Sequence, residues 1–161
     1  MANDIRIETH EREVTQAIRN ALLAFLEEAG AEVESQAMAN SPVSQGQLKG
    51  NWDHIVESGD MKVTIGNTSE HSIWMEMGTG EYALEGNGRK GGWYIPIGSG
   101  GVDEGTAEKY GWPIVYGKDG QAFAFTRGAR PRRMLANAME DMAGAIQARA
   151  NEIIGGRLGG G

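Results

Sequence analysis

Residues 8–39 read ETHEREVTQAIRNALLAFLEEAGAEVESQAMA, and the spacing of their apolar side chains decides the first element of the fold. Val14, Ala17, Ile18, Ala21, Leu22, Phe25, Leu26, Ala29 and Val33 recur every three or four residues, which winds them into one stripe of an α-helix. Glu and Gln fill most of the opposite face. Asn40-Ser41-Pro42 stops the helix, because a proline ring disfavours helical geometry in the residue before it. Gly30 is expected to loosen or kink the helix near its middle.

Downstream, the helical period gives way to alternation. Met61, Val63 and Ile65 alternate with Lys62 and Thr64, as in a strand with one buried face, and residues 51–58 supply its partner. Gly59-Asp60 between them predicts a two-residue hairpin turn with positive φ at its first position. Ile73, Trp74 and Met77 have near-helical spacing, so residues 71–77 read as one or two helical turns, with a strand as the alternative, before Gly78-Thr79-Gly80.

From 78 to 111 the chain holds 11 glycines in 34 residues, which predicts a long loop of functional or mobile character. Trp93, Tyr94, Ile95 and Ile97 are its dense apolar island. Residues 114–116 and 121–126 predict a second hairpin, with Phe123 and Phe125 on one face and Ala122 and Ala124 on the other. Pro131 is expected in the first turn of a last helix, along which Leu135, Met139, Met142, Ile146, Ala150 and Ile153 recur. The order implies one α+β domain over residues 1–154: an antiparallel sheet of two hairpins, two long helices packed on one face, and the glycine-rich loop. A flexible glycine-rich tail is expected at 155–161.

A chain of 161 residues suits one domain, and 40% hydrophobic residues supply a core. Zero cysteines exclude disulfides, thiolate metal sites and a cysteine nucleophile. No apolar run approaches the roughly 18 residues of a membrane span, and Met1-Ala2-Asn3-Asp4 lacks a basic-then-apolar signal, so a soluble protein made inside the cell is expected. A net charge of −7 argues against a general nucleic-acid binder. The charge is uneven: residues 1–80 carry 5 basic and 13 acidic side chains, residues 81–161 carry 10 and 9. That asymmetry suits charge-complementary self-assembly, or simply an acidic solvated helix.

No constellation points to catalysis, a cofactor or a metal. Gly86-Asn87-Gly88-Arg89-Lys90-Gly91 spells G-x-G-x-x-G, but Gly92-Trp93-Tyr94-Ile95-Pro96 follows where a dinucleotide site needs a helix. His10, His54 and His71 show no metal-type spacing; Asp53-His54, or His71 with Glu76, would have to be assembled by folding. Glu76 lies between two methionines beside Trp74, and reads as a structural ion pair or turn-anchoring group rather than a general acid. Arg127, Arg130, Arg132 and Arg133 surround Pro131 where the dipole of a following helix disfavours positive charge. Their partner could be Glu76, the acidic first helix of a neighbouring subunit or a phosphate, or they could be solvated.

Three segments, in this order, resemble the head-tail joining, or tail-completion, neck proteins of long-tailed bacteriophages. Ser41-Pro42-Val43-Ser44-Gln45-Gly46-Gln47-Leu48 is similar to that family's Ser-Pro-x-Asp-Thr-Gly-x-Leu signature. Trp74-Met75-Glu76-Met77-Gly78-Thr79-Gly80 resembles its aromatic-x-Glu-aromatic-Gly-Thr-Gly turn. Gly128-Ala129-Arg130-Pro131-Arg132-Arg133-Met134-Leu135 is similar to its Arg-Pro-x-x-Phe-Leu opening of a final helix. The resemblance implies a non-enzymatic virion component without cofactor, forming a homo-oligomeric ring at the head-tail junction. Its implied partners are connector or portal-side proteins and tail terminator or tail-tube proteins; DNA passes through the channel without specific binding, and no membrane is involved. Within the motifs, Gly46 is expected to supply a turn conformation, Leu48 to pin that turn to the core, Ser41 and Pro42 to set the helix exit, Gly78 and Gly80 to turn the backbone, and Trp74 to anchor packing.

Overall fold

The computed structural model describes residues 11–43 and 46–158, in the order α1 (Glu11–Asn40), α2 (Gly46–Gly50), β1 (Trp52–Glu57), β2 (Lys62–Asn67), α3 (Ser72–Met77), a 3-10 turn (Gly80–Tyr82), β3 (Trp93–Pro96), α4 (Glu104–Lys109), β4 (Ile114–Tyr116), β5 (Ala122–Thr126) and α5 (Met134–Leu158). The α+β class is borne out. The chain divides into two compact units, one formed by Met1–Thr68 with Leu135–Gly161, the other by Ser69–Met134.

In the first unit α1 covers the antiparallel hairpin β1–β2. Phe25, Ala29, Val33 and Ala37, four residues apart, are its buried stripe; Val14, expected on it, is exposed. Four residues, Ser58-Gly59-Asp60-Met61, connect the strands, since Glu57 pairs with Lys62. The expected two-residue turn is therefore wrong: Met61 has left the strand and takes φ 50° itself. Trp52 is buried and Ile55, on the other face of β1, is exposed, which is the period-2 alternation of a half-covered strand. In α5, Met134 and Ala138 are the buried residues of the first turns and Met139 is exposed, one position off the expected stripe. The helix continues through Gly155 and Gly156 to Leu158, where a flexible tail was expected; glycine weakens a helix by about 1 kcal/mol per residue but does not forbid it.

In the second unit β5 is the centre of a three-stranded antiparallel sheet, flanked by β3 and β4. The two hairpins therefore do not share a sheet, which corrects the expectation. Trp93-Tyr94-Ile95-Pro96 leaves the supposed loop and occupies the edge of β5 that a joined sheet would have needed. The same region also forms α4, capped by the Asp103 carboxylate on the Thr106 N–H at 2.9 Å, so it is not structureless. Ala124, at 0% exposure, and Thr126 mark the buried face of β5, whereas Phe125 lies on the other face, where its ring meets that of exposed Tyr94 at 5.1 Å. The small residue goes inside because it sits in register between Ile95 and Ile114.

Candidate functional site

The second and third sequence motifs, about fifty residues apart in the chain, meet in the second unit as a backbone clasp. Thr79 N–H donates to the Ala129 carbonyl at 2.9 Å, and Ala129 N–H donates to Thr79 Oγ1 at 2.9 Å. Glu81 N–H donates to the Arg127 carbonyl at 2.8 Å; Arg132 N–H donates to the Met75 carbonyl at 2.7 Å, and Arg133 N–H to the Glu76 carbonyl at 3.3 Å. These bonds fix the two segments on each other without a regular ladder.

Glycine makes the close approach possible. A Cβ on Gly80 (φ 60°) would lie 2.2 Å from the Arg127 carbonyl oxygen, and one on Gly128 (φ 117°) 2.0 Å from that of Thr79. Both backbones take the left-handed conformation that side chains resist. Gly78 turns the backbone at φ 75°, as the sequence predicts, and a Cβ there would also stand 2.9 Å from Pro131 Cδ. Gly88, from the dinucleotide-like string, packs on the Gly80 carbonyl, and β3 rather than a helix follows that string. Gly88 serves chain packing there, whereas Gly86 and Gly91 turn the backbone at φ 69° and 82° with open space around them.

The clasp sorts the four arginines. Arg127 reaches Glu81 at 3.3 Å, and Arg130 lies over the Tyr82 ring at 4.8 Å. Glu81 also accepts the Gly91 N–H at 3.0 Å, and this bond first, then Arg127, holds its carboxyl below the ordinary range. Glu81 is the residue that sequence reasoning missed; its only signal is an acid directly after Gly-Thr-Gly. Arg133 takes φ 49° immediately before α5. Pro131 precedes that helix by three residues instead of lying in its first turn, because Arg132 and Arg133 are spent on the clasp.

Trp74 is not a packing anchor. It is 57% exposed, and with Ile73 and Leu84 it forms an apolar surface, since α3 buries Met75 and Met77 more deeply.

The first motif lies in the other unit. Ser41 is buried at the end of α1, its hydroxyl donating to the Ala37 carbonyl and accepting the Trp52 indole N–H, each at 2.8 Å. Leu48 is 2% exposed, and Asn67 Nδ2 donates to its carbonyl at 2.7 Å. Ser41 and Leu48 thus do what the sequence assigns them. Gly46 does not: it opens the short helix α2 and has no positive φ. Ser44 and Gln45 lie outside the described residues.

His54, on β1, lies across α1 with Nδ1 2.5 Å from Glu34 and Nε2 3.3 Å from Glu27. The two carboxylates are seven residues apart, two turns along one helix face. Gly30 lies between them, and a Cβ there would stand 2.6 Å from His54 Cδ2. The mid-helix glycine is the notch in which the ring sits. The Glu34 hydrogen bond, aided by Glu27 and opposed by partial burial, raises the His54 pKa above its ordinary value. Among the described residues, Glu34, Asp53 and His54 are the one group whose donor atoms could converge on a metal. With a carboxylate at each nitrogen, however, the geometry favours imidazolium, which has no lone pair for a metal. Nearby on α1, Arg149 of α5 bonds Glu28 at 2.9 Å and pairs with Glu32. His71 is exposed at the start of α3, and His10 lies outside the described residues.

Residues 7–78, a little under half of the chain, match the model of the HK97-gp10-like family, described as "Bacteriophage HK97-gp10, putative tail-component". The match takes in the first motif and runs into the second, and it bears out the resemblance to phage head-tail proteins. The chain matches no curated protein and no solved structure. No helix among the described residues is long and apolar enough to cross a membrane.

Proposed function

We propose that this chain is a structural, non-enzymatic protein of the phage particle, a neck or tail-completion subunit that forms a homo-oligomeric ring at the head-tail junction. The family match over residues 7–78 carries this reading. Two features support it. The clasp presents Arg127, Arg130 and Arg132 on an exposed surface held by backbone bonds, a rigid base for contacts to neighbours or to connector and tail proteins. The acidic net charge suits a channel that DNA crosses without binding.

The family's description as a tail component favours a second reading, a tail terminator or minor tail subunit. Electron microscopy of virions carrying a tagged copy separates the two: label at the head-tail junction is expected, whereas label elsewhere on the tail supports the second. Particles without label would overturn both. Arg130→Ala with Arg132→Ala is expected to leave heads and tails unattached while the subunit still folds.

A further inference from the structure

Beside the clasp, within the second unit, lies an open groove of about 890 Å³. Tyr82, Tyr110 and Trp112 give it aromatic walls; Lys109, Arg130 and Arg132 bring positive charge to it, with Arg127 alongside. Its volume falls in the range of ligand sites, roughly 300–1,000 Å³. We infer that this groove is the seat for an acidic face of a second copy of the chain, a reading that rests on the ring assembly proposed above and gives it a contact surface.

Three observations lead there. First, the cations are held in place. Arg130 Cζ lies over the Tyr82 ring, 4.8 Å from its centroid, and Lys109 Nζ sits over Tyr110 at 5.6 Å. A guanidinium held over a ring by cation–π attraction retains N–H donors that grip a carboxylate bidentately. Among the described residues no carboxylate pairs with Arg130 or Arg132, both exposed. Second, the rings are engaged. Tyr110 stacks on Trp112 at 5.2 Å and 24°, with Lys109 also over Tyr110, so these two rings are already engaged and offer less surface for the base stacking that holds single-stranded nucleic acid. Carboxylates fit it better than bases. Third, the chain itself supplies the complement. Setting the four groove cations aside leaves 11 Lys and Arg against 22 Asp and Glu, a net charge of −11 over the rest of the molecule. A second copy is therefore acidic on balance outside its own groove, and an acidic face of it is attracted to the groove although two such chains repel as wholes.

The test is sedimentation equilibrium of the full chain across a range of concentrations, at low salt and at about 1 M salt, where the screening length falls to about 3 Å. The wild type is expected to self-associate at low salt and to dissociate in high salt. Arg130→Glu with Arg132→Glu, and separately Lys109→Glu on the other wall, should weaken association about tenfold or more with an unchanged circular dichroism spectrum, a loss of at least about 1.4 kcal/mol. Association unchanged in both variants would place the interface elsewhere and overturn the inference. So would a wild type that stays monomeric at every concentration, or one that binds a single-stranded oligonucleotide through these cations instead. None of these outcomes touches the particle location, which the tagged virion decides separately.

Discussion

Replacing Gly30 by alanine sets two effects of opposite sign against each other. In an open helix interior, Gly→Ala gains about 1 kcal/mol, because alanine has less backbone freedom to lose. Gly144 in α5 is such a site, with nothing within 4 Å of the added Cβ. At Gly30 the Cβ would stand 2.6 Å from His54 Cδ2 and 2.7 Å from Val63 Cγ2. Neither neighbour yields easily: the imidazole is held at both nitrogens, and valine in a strand is stiff about χ1. Overpacking of this kind costs about 1–3 kcal/mol, so the propensity gain is cancelled or outweighed and Gly30→Ala is neutral to about 2 kcal/mol destabilising. The two substitutions should therefore differ by about 1–3 kcal/mol, several degrees in melting temperature for a chain of this size. Urea denaturation followed by far-ultraviolet circular dichroism, on both variants at one pH, measures the difference. If Gly30→Ala stabilises the chain as much as Gly144→Ala does, the ring is not seated on that glycine, and the account of the notch fails.

The same notch sets a pH dependence. His54 has a folded-state pKa above its unfolded value near 6.5, so its contribution to stability is fully present below that pH and is lost as pH rises through the folded value. An imidazole Cε1–H titration midpoint at or below 6.5 by NMR would contradict this sign. In the clasp, Gly128→Ala combines a φ of 117° with a Cβ 2.0 Å from the Thr79 carbonyl oxygen, and should destabilise by more than about 2 kcal/mol. A melting temperature within a degree of wild type would refute the close approach.

Much of the element order was legible because it is local. The α1 stripe, the β1–β2 alternation, the second hairpin and the helical turns at Ile73–Trp74–Met77 all follow from side-chain period, which each segment carries by itself. Other features depend on distant partners. No local pattern says that β3 will fill the free edge of β5, that Ala124 and not Phe125 will face inward, or that Trp74 will stay exposed. Each is settled by what lies across the sheet or beneath the helix. Turn length failed similarly: Gly59 permits a tight turn, but the register Glu57 with Lys62 imposes a longer one.

The sequence by itself determined the α+β class, Leu48 as the pin of the first motif to the core, and the Gly-Thr-Gly and arginine-rich motifs whose resemblance, with that first motif, pointed to a phage structural protein. Only the tertiary structure joined those motifs, since a hydrogen bond from Thr79 to Ala129 leaves no trace in the residues between them. Only it gave Arg127 its partner Glu81, and explained Gly30 by a histidine more than twenty positions away. A periodic stripe is a property of one segment, and chain geometry enforces it residue by residue. An ion pair or a notch is a property of two segments, and it exists once packing has chosen which surfaces meet.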